Sequence, residues 1–236
     1  MIKYSLVVPC YNEAENIDPL VSKCLTILER KDCEVILVDN GSYDQTKEKI
    51  IINSKKYNNL KLAIVERNQG FGYGVFTGIN NSTGSVVGYC HADLQTDPKD
   101  FLKAIDIIET NNIANQNFLI KGRRLNRPLI DNCFTFFMSL YSSILFTRLL
   151  FDINSQPNVF NKNLINKLKF IPNDFNIDLY IFFIAKKINS KIFKCDVYFP
   201  SRERGEGSND QLMQKIKNSL KQIINILLMR FKIFFY

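Results

Sequence analysis

The residues best suited to chemistry lie in one stretch, Val86-Val87-Gly88-Tyr89-Cys90-His91-Ala92-Asp93-Leu94-Gln95-Thr96-Asp97-Pro98. It reads as a buried strand running out at Cys90, a short polar segment with an imidazole, a carboxylate and a carboxamide at alternate positions, and a Pro able to start a helix. Alternate side chains of extended backbone point the same way, so His91, Asp93 and Gln95 converge on one small volume at the carboxyl end of a strand. Open α/β sheets bind their ligands at that end. Such ligands suit Mg2+ or Mn2+ bridging a diphosphate, and the imidazole tilts the choice toward Mn2+. The same residues also make a plain polar turn in which Asp93 caps the next helix.

A strand that presents such a segment needs neighbours, and the first half of the chain supplies them. Tyr4 to Pro9 is a short apolar run stopped by Pro, followed by the polar corner Cys10-Tyr11-Asn12-Glu13. Asp18-Pro19 marks a helix start, with Leu20, Val21, Cys24, Leu25 and Leu28 at helical spacing. Glu34 to Val38 is a second strand, and Asp39-Asn40-Gly41-Ser42 a turn leading to a helix capped at Asp44 or Ser42. Leu62 to Val65 is a third strand, followed by Asn68-Gln69-Gly70-Phe71-Gly72-Tyr73-Gly74 and a helix to Asn81; a further helix covers Lys99 to Glu109. Strands alternating with helices predict an α/β fold with a mostly parallel sheet of right-handed units.

The second half differs in character. Phe118-Leu119-Ile120 predicts another strand, ending in the cations Lys121-Gly122-Arg123-Arg124 where strand ends face a ligand. Phe134 to Phe151 is largely apolar with only Arg148 charged; about 20 apolar residues are needed to cross a bilayer, so a buried or interfacial helical hairpin is expected. Asp152 to Asn158 reads as a polar connection, Phe175 to Lys186 as a helix bearing Asp178, Lys191 to Phe199 as a last strand, and Pro200 to Asn209 as a basic loop. The remainder places Ile216, Leu220, Ile223, Ile224, Leu227, Leu228, Phe231 and Phe235 on one stripe beside Lys215, Lys217, Lys221, Arg230 and Lys232. That is an amphipathic basic helix, for a membrane surface or for burial against the domain or a second subunit.

The totals agree. With 236 residues, 46% of them hydrophobic, the chain can build one catalytic-sized domain over residues 1–210 plus a helical extension at 211–236. A net charge of +8 suits a phosphate-bearing ligand or an anionic membrane surface. No zinc-finger, helix-turn-helix or RNA-binding signature argues for nucleic acid. Six scattered cysteines at no metal or redox spacing read as core residues of a reducing compartment. A chain that enters a strand at once, with no cleavable leader, points to the cytoplasm.

Taken in order, Val8-Pro9-Cys10-Tyr11-Asn12-Glu13, Val38-Asp39-Asn40-Gly41-Ser42-Tyr43-Asp44, Asn68-Gln69-Gly70-Phe71-Gly72, His91 to Pro98, Gly122-Arg123 and the Arg202 to Ser208 loop resemble a family 2 glycosyltransferase with the GT-A (Rossmann-like) fold. Within that family the chain is similar to the dolichol- and polyprenyl-phosphate mannosyltransferase-like branch. The resemblance implies a metal-dependent, inverting hexosyltransferase using a nucleotide-diphosphate sugar. Pro9, Tyr11 and Glu13 would border the nucleoside, Asp39 would accept hydrogen bonds from the base, and Asn68 and Gly70 would admit the ribose and diphosphate. Where the family has Asp-x-Asp this chain has His91-Ala92-Asp93, so the resemblance assigns Asp93 and Gln95 to the metal. His91 stays open between weak ligand, donor-phosphate contact and structural residue.

Breaking a sugar–diphosphate bond builds negative charge on the leaving group, which a divalent cation and guanidinium groups such as Arg123 or Arg202 would stabilise. A lipid-phosphate acceptor is already ionised and would sit on Arg123, Arg124, Arg202 and Arg204. A sugar hydroxyl, as in extension of a lipid-linked or cell-surface glycan, would need a carboxylate base, for which Asp178 is the candidate. The Arg-x-x-Gly element fits Arg202 and Gly205, or Arg204 and Gly207. A nucleotide-sugar-binding protein without catalysis is the remaining reading, resting on His91 in place of a carboxylate. The expected location is the cytoplasm, peripheral at the inner face of the cell membrane.

Overall fold

The computed structural model describes residues 1–125, 129–198 and 212–235. Seven strands form one mixed sheet in the order β3-β2-β1-β4-β6-β5-β7: β1 Tyr4–Cys10, β2 Cys33–Asn40, β3 Leu60–Val65, β4 Val86–Tyr89, β5 Phe118–Leu125, β6 Asn158–Asn161 and β7 Lys191–Tyr198. The first four run parallel, as do β5 and β7, while β6 lies antiparallel between β4 and β5. Strands β1 and β2 are buried along their whole length, which is why they read as unbroken apolar runs instead of alternating ones.

Helices α1 Ala14–Leu28, α2 Thr46–Ser54 and α4 Asp100–Thr110 cover one face; α3 Phe71–Asn81, α5 Leu129–Phe146, α6 Asn176–Lys187 and α7 Leu212–Phe235 build up the other. Side chains alternate accordingly along β1: Leu6, Val8 and Cys10 join the cluster under α1 and α4, and Val7 joins the one under α3 and α6.

Several local expectations are corrected. Helix α1 begins at Ala14 and holds Pro19 inside it, because its first amides are capped from a distant loop. Ala14 N donates to Asp44 Oδ2 at 3.1 Å and Glu13 N to Thr46 Oγ1 at 2.8 Å. The predicted hairpin over 134–151 is one helix, α5, ended by Thr147 at φ 51° and by Ser143 Oγ accepting from Leu150 N. The predicted connection 152–158 turns into β6 at Asn158, whose backbone pairs with Tyr89 on one side and Lys121 on the other.

Helix α7 carries two apolar stripes. Ile226, Met229 and Ile233 are buried against the domain core, whereas most of the predicted stripe, including Ile216, Leu220, Leu227 and Phe231, faces outward. Tyr141 of α5 donates to Ile223 O, and Arg230 of α7 donates to Leu145 O at the carboxyl end of α5, where a cation also meets the helix dipole.

At the opposite edge of the sheet from the strand carboxyl ends, Glu34 is fully buried and accepts from Ser5 Oγ at 2.7 Å, Thr83 N at 2.6 Å and Thr83 Oγ1 at 2.9 Å. Burial alone would push this carboxyl up, but Lys61 at 2.5 Å and these donors hold it below the usual carboxylate range. A depressed folded value means stability that is present above about pH 4.3 and fades as pH falls through the folded value. Glu34→Gln is expected to lower stability at pH 7 by about 1–3 kcal/mol. The gap from wild type should narrow below pH ~4, read by urea unfolding at both pH values.

Candidate active site

The loops leaving β1, β2 and β3 are stitched together at the carboxyl edge. Asn12, at φ 54°, donates its backbone N to Ser42 Oγ and accepts from Tyr43 N with its side chain, both at 3.1 Å. Asp39 is 3% exposed, and its Oδ1 accepts from Ser42 N at 3.1 Å. Gly41 sits at φ 76°, and a Cβ there would fall 2.3 Å from Asn68 N, so the β2 and β3 loops meet backbone to backbone. Above them Tyr11 and Tyr43 stand edge to face at 6.1 Å, with Tyr43 84% exposed.

Past β4 the chain does not stay extended, contrary to the alternate-residue expectation. Asp93 Oδ1 accepts from Gln95 N at 3.1 Å and closes a turn over Leu94, which takes φ 64°. Asp93 and Gln95 are therefore joined by that turn, and His91 has aromatic neighbours. Its ring lies 4.6 Å from Phe71 and 5.8 Å from Phe175, which stack on each other at 5.0 Å. Because β2 and β4 flank β1, and neighbouring strands lie ~4.8 Å apart, Asp39 and the 90–93 segment leave the sheet roughly 10 Å apart.

Beneath this edge lies a buried polar network. Asp178, 1% exposed, accepts from Tyr89 Oη at 2.5 Å, Gln156 Nε2 at 3.2 Å and Asn158 Nδ2 at 3.3 Å. Burial pushes its carboxyl up, opposed by the charge of Lys121, the Tyr89 hydroxyl and His91. Lys121 is fully buried, donating to Asn158 Oδ1 at 2.7 Å and to the carbonyls of Ile153 and Ser155, and burial pushes its ammonium down to about 8. From sequence Lys121 is expected among the ligand-facing cations, Tyr89 only within the strand, and Gln156 and Asn158 only within a polar connection; none is given a place beside Asp178. The available signal was Asp178 inside the apolar run Ile177 to Phe183, since a carboxylate among core residues must find donors.

The predicted cations separate. Lys121 points into the core, Arg124 pairs with Asp152, and the exposed Arg123 pairs through Nε and Nη2 with Asp196 on β7. Arg202, Arg204, Gly205 and Gly207 lie outside the described residues. Pro9 pairs with Val38 within the sheet, Tyr11 and Glu13 follow at the corner, and Asn68 Oδ1 accepts from Gly70 N at 2.8 Å. Among the described residues no group of three or more His, Cys, Asp and Glu side chains is placed to hold a metal ion. Asp93 and Gln95, the pair that the resemblance assigns to a metal, carry oxygen donors of the kind that fits Mg2+ or Mn2+ shared with phosphate oxygens and water.

Residues 5–152 match the profile of the family described as Glycosyl transferase family 2. The chain belongs to that family. It is 34% identical over 133 residues to dodecaprenyl-phosphate galacturonate synthase of Rhizobium johnstonii, a match over 53% of this chain and 37% of that protein. It is 28% identical over 210 residues to dolichol-phosphate mannosyltransferase of Pyrococcus furiosus, over 87% and 58% respectively. The chain thus matches less than two thirds of either relative's length. The fold matches glucosyl-3-phosphoglycerate synthase of Mycobacterium tuberculosis, solved with Mn2+, UDP and glucosyl-3-phosphoglycerate, at a TM-score of 0.72 and 16% identity, covering 97% of this chain and 80% of that one. Family and fold agree with the resemblance drawn from the strand-end motifs.

The network makes a prediction of its own. Tyr89→Phe removes one donor from a buried carboxylate and is expected to lower stability by about 1–3 kcal/mol with the urea m-value unchanged.

Proposed function

We propose that the chain transfers a sugar from a nucleotide-diphosphate donor to a polyprenyl-phosphate acceptor, with inversion at the anomeric carbon. The observation that carries the reading is the pairing, across β1, of Asp39 beside the Tyr11–Tyr43 bracket with the Asp93–Gln95 turn. On this reading Asp39 is the acceptor for a base amide beside a rim of aromatic surface, and Asp93 and Gln95 are the oxygen donors for a cation on the other side. Pro9 and Glu13 border the nucleoside, and Asn68 and Gly70 let the backbone come close to the ribose and diphosphate. Similarity to enzymes named for dodecaprenyl and dolichol phosphates supports the acceptor class.

An oxygen of the acceptor phosphate attacks the anomeric carbon as the carbon–oxygen bond to the diphosphate breaks, and the electron pair leaves with the diphosphate. A divalent cation on Asp93 and Gln95 would supply positive charge to that leaving group. Arg123 and Arg202 are the proposed guanidinium contributors to the same charge or to the acceptor phosphate. Since both oxygens of Asp178 already accept hydrogen bonds inside the core, an acceptor that needs no general base suits this site better than a hydroxyl.

The acceptor class also asks for a lipid surface. Helix α5 is long and apolar enough to cross a bilayer by length and composition, with 22% of its span buried, and Phe136, Phe137 and Ile144 are exposed on it. Together with the outward stripe of α7 and Lys217 and Lys221, it forms an apolar face rimmed by cations, suited to peripheral binding at the inner face of an anionic membrane.

Calorimetry with UDP and GDP tests the donor site. Binding is expected to require Mn2+ or Mg2+ and to weaken at least tenfold in Asp93→Ala; nucleotide binding indifferent to both the cation and the substitution would end the reading. Flotation tests the surface. Lys217→Glu combined with Lys221→Glu should cut recovery on phosphatidylglycerol vesicles, with a loss of about 1 kcal/mol per charge near the surface, and leave neutral vesicles unaffected.

A further inference from the structure

The outward-facing helix and the donor loop are joined by an unbroken series of contacts. Asn225 of α7 donates from Nδ2 to Asp174 Oδ2 at 3.1 Å, beside the buried stripe that seats the helix. Asp174 in turn accepts from Asn176 N and Nδ2, both at 3.0 Å, fixing the first turn of α6. One residue earlier, Asn173 O accepts from Gly72 N at 2.8 Å. The approach there is too close for any side chain: a Cβ on Gly70 would sit 2.2 Å from Asn173 O, and one on Gly72 would sit 2.1 Å from Pro172 O. One residue later, Phe175 stacks on Phe71, the first residue of α3, and faces His91. Residues 172–175 thus touch the glycine loop at three successive points and are tied from behind by one hydrogen bond from α7.

From this we infer that Asn225 is a positioning residue of the donor site: through Asp174 it sets the 172–175 segment against Gly70 to Gly72, and so sets the backbone that faces the ribose and diphosphate. The inference rests on the donor reading proposed above. Its physical basis is that backbone packed directly on backbone has no compressible side chain between, so displacement of residues 172–174 must displace the glycine loop too. The outward-facing helix and the donor loop are then linked through the Asn225–Asp174 contact, although the role does not require Asn225 or Asp174 to touch the donor.

Two readouts test this on the full chain. In Asn225→Ala, the affinity for whichever of UDP and GDP the wild-type chain binds more tightly with Mn2+ is expected to fall about three- to tenfold. Amide hydrogen exchange over residues 69–75 should quicken by a similar factor. The exchanged pair Asp174→Asn with Asn225→Asp keeps a carboxylate facing a carboxamide and should return both readouts to within about twofold of wild type. Unchanged affinity and exchange in Asn225→Ala would overturn the inference. So would losses that persist in an exchanged pair melting at the wild-type temperature. A wild-type chain that binds neither nucleotide would remove the donor reading instead, and the exchange rates would still judge the contact.

Discussion

The buried carboxyl of Asp178 has to find hydrogen-bond partners inside the core, and much of the architecture around the strand ends follows from that requirement. A carboxyl group in a low-dielectric interior is tolerated only with hydrogen-bond partners around it. Here the donors come from β4 through Tyr89, from β6 through Asn158, and from the preceding loop through Gln156; the nearby cation is Lys121 of β5. One helix therefore ties the parallel half of the sheet to the antiparallel insertion and to β5. The segment holding His91, Asp93 and Gln95 leaves β4 immediately after Tyr89, so its starting point is fixed by the same network.

Close backbone approach is the second constraint. Gly41 against Asn68, Gly70 against Asn173, and Gly122 against the carbonyl of Gln156 each leave no room for a Cβ, and Gly41 and Gly70 also sit at positive φ. These contacts draw loops from sequence-distant elements onto one rim. Small residues let the chain carry a polar surface there without opening the core, and each backbone N–H freed by the turns can face a ligand instead of a side chain. Main chain thus reaches the rim at these points, as would suit the diphosphate of the proposed donor.

Much of this was legible from short-range pattern. The parallel half was readable because buried strands are continuous apolar runs and their ends carry turn residues, so Val35 to Val38 followed by Asp39-Asn40-Gly41 could hardly be anything else. The position of Asp39, Asp93 and Gln95 at strand ends was legible by the same logic, while their roles were drawn from the resemblance and remain proposals. What escaped depends on partners far away in sequence. Pro19 inside α1 looked like a helix start because the true caps, Asp44 and Thr46, lie some thirty residues on. Strand β6 escaped because four residues in a polar surrounding have no periodicity to read, and only pairing with Tyr89 and Lys121 makes them a strand. The alternate-residue geometry of His91, Asp93 and Gln95 failed for a local reason: the Asp93 side chain captures the Gln95 amide and turns the backbone, an option short polar side chains always hold against extension.

Helix α7 shows why one amphipathic stripe was too simple a reading. A helix with one apolar face is satisfied by one partner, whereas α7 is apolar on two: Ile226, Met229 and Ile233 are covered by the domain, and Ile216, Leu220, Leu227 and Phe231 are not. Propensity cannot explain the second set, since exposed positions of a docked helix gain nothing from large apolar side chains in water. Helix α5, packed beside it, repeats the pattern with Met138 and Phe146 inward and Phe136, Phe137 and Ile144 outward. Two neighbouring helices each carrying apolar residues on the outer face, next to lysines, are the basis for the surface proposed above. That Asn225 lies between the covered and uncovered stripes, and reaches Asp174, makes the seat of this surface also the support of the loop over Gly70 and Gly72.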